Sequence, residues 1–159
     1  MKAPVIRSLE VRYGDLDPYG HVNNAVYLEF FEALRVAYWR ALAASVGITE
    51  LVAGDIPGAR YVIAETTVRY KAPLFLDDIF SGGVRMRTVG DRSFSMDFEL
   101  RKSDADREAF ADAPLVAEGS AAHVFFDPDE AAVKPRPDWF LPAVAALEDR
   151  PEEAFRKEV

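Results

Sequence analysis

The chain predicts an α+β fold in which one long antiparallel sheet wraps around a single central helix. Three features predict it. One is a gap-free amphipathic stretch with no Gly or Pro, starting at Asn23 or Asn24 and running for about 20 residues, roughly 30 Å of helix and almost the width of a small domain. Another is the succession of four strand-like runs after it, joined by short turns, which makes the sheet antiparallel. The last is an alternating run in front of the helix.

Taken in order, Val5 to Tyr13 alternates, with Val5, Leu9, Val11 and Tyr13 sharing a face, and reads as a half-buried strand. Gly14 to Gly20 is turn material. In the helix, Val26, Tyr27, Phe30, Phe31, Leu34, Ala37 and Tyr38 form the apolar stripe, while Glu29, Glu32, Arg35 and Arg40 are assigned to the opposite side. Either Asn would serve as the N-cap, and Gly47 as the stop. Thr49 to Ala59 is a loop. The strands are Arg60 to Lys71, Asp78 to Val89, Ser93 to Lys102 and Leu115 to Phe126, with Gly90-Asp91-Arg92 as a hairpin connection and 103–114 as a polar, flexible loop. The last strand carries Ala117, Gly119 and Ala121 on one face with His123, small enough for a helix to lie close against it. Asp127 to Pro137 is a charged linker, and Asp138 to Leu147 a short helix before a tail expected to fray after Pro151. The domain therefore covers 1–137, with 138–159 as a C-terminal helix and tail.

Composition narrows the function. The 159 residues suit one domain with a sizeable core, and 50% apolar content excludes a disordered chain. A net charge of −8 argues against nucleic acid or a membrane surface as partner, because phosphate backbones demand a positive footprint. The chain has no cysteine, which removes disulfides and thiolate chemistry, and only two histidines, which leaves no His-rich metal site. No apolar run reaches signal-peptide or membrane-spanning length, so the expected compartment is the cytoplasm.

The chemistry concentrates between Tyr13 and Tyr38. Asp15, Asp17, Pro18, Gly20, His21, Asn23 and Asn24 crowd into a turn that feeds the helix. Asx-turns and a helix cap alone would use these residue types. A carboxylate beside a helix N-terminus has a further use: exposed backbone N–H groups polarise a carbonyl, and the carboxylate attacks it or deprotonates a water that does. No G-x-S-x-G elbow, P-loop or dinucleotide fingerprint competes.

The segment GDLDPYGHVNNAVYLEFFEALR resembles the signature of the hotdog-fold acyl-CoA thioesterases of the 4-hydroxybenzoyl-CoA thioesterase type, and RYKAPLFLDDIFSGGVRM resembles that family's following strands. The resemblance spans roughly 5–126. It implies a hotdog fold, hydrolysis of an acyl-CoA with no cofactor beyond the coenzyme A of the substrate, and a homodimer or homotetramer with the site between subunits. It places the catalytic carboxylate on Asp17, as nucleophile or base, and the carbonyl-binding turn on Gly20 through Asn24, including Val22 and Asn23. Plant acyl-carrier-protein thioesterases have a similar H-V-N-N stretch, in which His21 matches their histidine and Tyr19 replaces an asparagine; Tyr19 is expected among the substrate-binding residues. His21 is thus either an acid/base partner or a structural hydrogen-bonding group, and Tyr27 either lines the acyl pocket or belongs to the core. Glu65, His123 and the arginines at 85, 87 and 92 are weaker candidates. Two rival functions remain: an acyl-thioester dehydratase or hydratase, and a non-catalytic acyl-CoA-binding module.

Overall fold

The computed structural model describes residues 2–49, 51, 56, 58–104 and 107–156. In chain order the elements are β1 (Val5–Leu9), α1 (Val26–Ser45), β2 (Tyr61–Tyr70), β3 (Phe80–Val89), β4 (Ser93–Arg101), α2 (Arg107–Phe110), β5 (Leu115–Asp127), β6 (Ala132–Val133) and α3 (Phe140–Glu148). The sheet order is β1-β3-β4-β5-β2, with β6 pairing β5, and every pairing is antiparallel. One face of this sheet closes on α1, giving the expected α+β hotdog architecture.

The alternation in β4 is reproduced without a break: Phe94, Met96, Phe98 and Leu100 are buried, and the residues between them are not. Phe31 stacks on Phe98 with ring centroids 4.7 Å apart. Gly119 on β5 sets how close α1 can come. A Cβ there would lie 2.3 Å from the Thr67 carbonyl oxygen and 2.5 Å from the Phe31 ring. The first of these is backbone and cannot swing aside. Gly119→Ala is therefore expected to cost roughly 3 kcal/mol or to prevent folding. Urea unfolding measures it, and an unchanged midpoint would refute the close packing described here.

Several local expectations are corrected. β1 stops at Leu9: Arg12 and Asp15 close a single 3-10 turn over Tyr13–Asp15, which swings Tyr13 out to 82% exposure. Helix α1 starts at Val26 rather than at the Asn pair, with Ala25 in the cap position and no side-chain cap. It ends at Ser45, and Gly47 follows with φ +79, as a C-terminal stop requires. Arg35 is not on the polar face. It lies one turn from Phe31 and one from Trp39, and that spacing puts it in the core stripe, 3% exposed, with its guanidinium 5.9 Å from the Phe98 ring centroid.

The 103–114 loop contains α2, whose Phe110 is buried, and the 127–137 linker contains β6. The C-terminal segment is held in the core. Phe140 packs on Trp39, Phe94 and Phe125. Glu148 accepts hydrogen bonds from the Tyr38 hydroxyl, at 2.8 Å, and from the Met86 N–H. Glu152–Phe155 makes a 3-10 turn that buries Phe155 under Arg150, so the expected fraying does not begin at Pro151. Most of the 49–59 loop lies outside the described residues. Among the described residues, no helix is long and apolar enough to cross a membrane.

Candidate active site

Between β1 and α1 the chain folds back on itself. Leu16 and Val22 form an isolated antiparallel bridge, closed by the Asp17 N–H to the His21 carbonyl at 2.9 Å and the Asn23 N–H to the Asp15 carbonyl at 2.8 Å. The excursion from Asp17 to His21 turns at Gly20, whose φ of +84 suits glycine. It is clipped to the chain after β2 by the Val22 N–H, which donates to the Leu74 carbonyl at 2.8 Å.

This geometry separates the two aspartates. Asp15 is 3% exposed and is tied to Arg12 by backbone and side-chain hydrogen bonds of 2.7 to 3.3 Å. Burial opposes its ionisation, but the Arg12 hydrogen bonds and charge outweigh that and leave its carboxyl below the ordinary value. Arg12 also reaches Glu29 at 2.7 Å, so Asp15 anchors the turn to the first turn of α1. Asp17 instead lines an open pocket. Its Oδ1 accepts the Tyr19 N–H at 2.9 Å, and its Oδ2 lies 2.8 Å from His21 Nδ1. The His21 ring stacks on Tyr19 and meets Phe75 edge-on.

The helix start supplies donors. The Ala25 N–H donates to Asn23 Oδ1 at 3.0 Å, the Val26 N–H to the Asn23 carbonyl at 3.0 Å, and the Leu28 N–H to the Ala25 carbonyl at 3.2 Å. Among the described residues, the backbone N–H groups of Asn24 and Tyr27 are paired with no acceptor. Two unpaired amides at the positive end of a 20-residue helix favour a partial negative charge placed before them.

The pocket has a volume of about 750 Å³, within the range of small-molecule sites. Of the eight residues expected from the sequence, six line it: Asp17, Tyr19, His21, Val22, Asn24 and Tyr27. Gly20 and Asn23 do not; they shape the turn and the helix entry. Tyr27 is both floor and core, at 3% exposure, and its hydroxyl is raised above the ordinary value by burial, against a hydrogen bond from the Leu74 backbone. The other wall, Tyr70, Lys71, Ala72 and Pro73, comes from the end of β2. Their segment resembles the family's strands, yet it does not mark these four as pocket wall; the pairing of β2 with β5 and the Val22–Leu74 clip bring them here.

The weaker candidates lie elsewhere. Glu65 is exposed on β2. Arg85 and Arg87 face Asp97 at 2.9 and 3.8 Å on the other side of the sheet, and neither they nor Arg92 line the pocket. His123 is wholly buried. Among the described residues, no group of three or more His, Asp or Glu side chains is arranged to hold a metal ion.

Comparison with known proteins bears on this arrangement. The family described as the thioesterase-like superfamily matches residues 11–144. A long-chain acyl-CoA thioesterase of Escherichia coli, FadM, is 32% identical over 85 residues, an alignment covering 54% of this chain and 60% of that relative's length. A crystal structure of a thioesterase from Thermus thermophilus, complexed with coenzyme A and Zn, is 29% identical, superposes with a TM-score of 0.74 and covers 94% of this chain and 98% of its own. A thioesterase-superfamily protein from Jannaschia, 23% identical with a TM-score of 0.70 over 91% of this chain and 83% of its own, shares the fold.

Proposed function

The chain belongs to the thioesterase-like superfamily, and from that premise we propose that it is an acyl-CoA thioesterase in which Asp17 is the catalytic carboxylate and the start of α1 is the oxyanion site. One observation carries the reading: the Asp17 carboxylate and the helix N-terminus with its unpaired Asn24 amide line the same pocket.

The thioester carbonyl oxygen is received by the Asn24 and Tyr27 N–H groups, which stabilise the negative charge that develops on it. Asp17 either attacks the carbonyl carbon, forming an acyl anhydride that water then opens, or takes a proton from a water that attacks. Both Asp17 oxygens already accept or face a hydrogen-bond donor, so the side chain is held in one orientation. Coenzyme A leaves as a thiolate and needs little help from an acid. His21 fixes the Asp17 oxygen that faces it. The acyl group lies against Tyr27 and Tyr70, which favours a fatty or aromatic chain.

The protein works as a homodimer or larger assembly. β2 is an edge strand, and Val62, Ile63 and Tyr70 stay 44 to 49% exposed along it. A long edge with apolar side chains demands a partner, and a second copy paired there would close the open side of the pocket.

Thiol release, followed across short, long and aromatic acyl-CoAs alongside light scattering, tests both parts. Turnover of at least one acyl-CoA by a particle of two or more chains is the expected result. Tight binding without thiol release would sink the hydrolase reading, and a double-bond absorbance change in its place would point to hydration chemistry.

A further inference from the structure

Tyr70 closes β2 beside the helix start. Its hydroxyl donates to the Asn24 carbonyl at 2.9 Å, and its ring stands edge-on to Tyr27 with centroids 4.9 Å apart. In a helix begun at the Asn pair, the Asn24 carbonyl would accept the Leu28 N–H four residues on. Here Leu28 bonds to Ala25 instead. The other end of the same peptide, the Ala25 N–H, is held by Asn23 Oδ1. The Asn24–Ala25 peptide is therefore gripped at both ends by side chains, one of them 46 residues away, and regular helix begins only at Val26.

This arrangement leaves one unpaired amide on each side of the gripped peptide, at Asn24 and at Tyr27. We propose that Tyr70 is a positioning residue: its hydroxyl holds the first turn of α1 in the register that keeps both amides free to receive the substrate carbonyl. The assignment rests on the hydrolase reading for its catalytic meaning. Tyr70 itself acts through the Asn24 peptide and forms no bond to reacting atoms.

Tyr70→Phe keeps the ring, the strand and the edge-on contact, and removes only the hydroxyl. With the Asn24 carbonyl released, Leu28 can adopt the regular helical bond. Protection of the Leu28 amide against hydrogen exchange is expected to rise, and the Asn24 amide resonance to shift. In the same variant kcat is expected to fall about tenfold, less than the loss of an oxyanion donor itself, because the donors are misaimed and not removed. KM should stay within about twofold, and the ranking of acyl chains should not change, since the pocket walls are intact. A wild-type kcat overturns the assignment. So does a defect confined to KM, which would leave the hydroxyl serving only the acyl wall and not the helix start, or exchange at Leu28 that does not move. If the unaltered protein releases no thiol, the hydrolase reading fails, and the exchange measurement still decides whether Tyr70 holds the helix start.

Discussion

Asp17→Asn is expected to lower kcat for acyl-CoA hydrolysis by about 10²- to 10⁴-fold, the usual worth of a positioned acid–base or nucleophilic carboxylate, equivalent to roughly 3–5 kcal/mol of barrier. KM should change little, because the helix amides and the aromatic walls that hold the acyl group are untouched. Folding should survive as well. The asparagine oxygen can still accept the Tyr19 N–H that closes the turn. Steady-state thiol release with a thermal melt gives both answers. Asp15→Asn is the informative control: that side chain is buried against Arg12 and away from the pocket, so its loss should appear in the melting temperature before it appears in kcat. An Asp17→Asn enzyme as active as the wild type would end the proposed mechanism. Single-turnover hydrolysis in ¹⁸O-water tests the nucleophilic role of the wild-type residue: label in the Asp17 carboxylate requires an anhydride that water opens at the aspartyl carbonyl, whereas general-base catalysis puts the label only in the released acid.

The parts of the fold that were legible in the sequence were those set by local periodicity. The burial of Phe30, Phe31, Leu34 and Tyr38 follows from helical spacing, and that of Phe94 through Leu100 from strict alternation. Arg35 shows the same rule applied badly. Its spacing from Phe31 and Trp39 places it in the apolar stripe, and only its charge argued for the surface. The long aliphatic stem and flat guanidinium of arginine make such burial tolerable, here above Phe98 and paired with Glu32.

The site was half legible for the same reason. Asp17, His21 and the Asn pair are neighbours in sequence, and their turn-forming chemistry announces itself. Their local geometry did not. Asn24 looks like a cap, yet the helix begins two residues later because a hydroxyl from a distant strand takes its carbonyl. Tyr70 through Pro73 lie in the segment that resembles the family's strands, but nothing in their residue types marks them as pocket wall. Their place in the pocket depends on the register that sets Tyr70 opposite Ala117 and on the clip between Val22 and Leu74, both long-range pairings. Phe155 is a similar case: its burial depends on Arg150 folding over it, and no periodicity marks it.

His123 sets the acid limit of the fold. Its ring lies on Phe94, centroids 4.4 Å apart and 6° from parallel, with Tyr61 edge-on, and among the described residues neither ring nitrogen makes a hydrogen bond of full geometry, only a weak contact with the Phe94 backbone that partly offsets the burial. Burial, reinforced by the positive charge of Arg35, lowers its pKa to about 3. The unfolded chain binds a proton at this residue below about 6.5, and the folded chain does not until about 3, so each step toward acid favours the unfolded state. Stability from this group is full above about pH 6.5 and is lost progressively between there and about pH 3, amounting to roughly 2–3 kcal/mol by pH 4.5. His123→Phe keeps a flat ring on Phe94 and removes two unsatisfied polar atoms, so it should be close to wild type at pH 7.5. At pH 4.5 the order should reverse clearly in favour of the variant. Urea unfolding at a series of pH values measures the gap directly, and carboxylates common to both chains cancel in the difference. Curves that run parallel from pH 7.5 to 4.5 would mean that His123 finds a proton acceptor or a water in the folded state, and that the aromatic stack does not enforce a neutral ring.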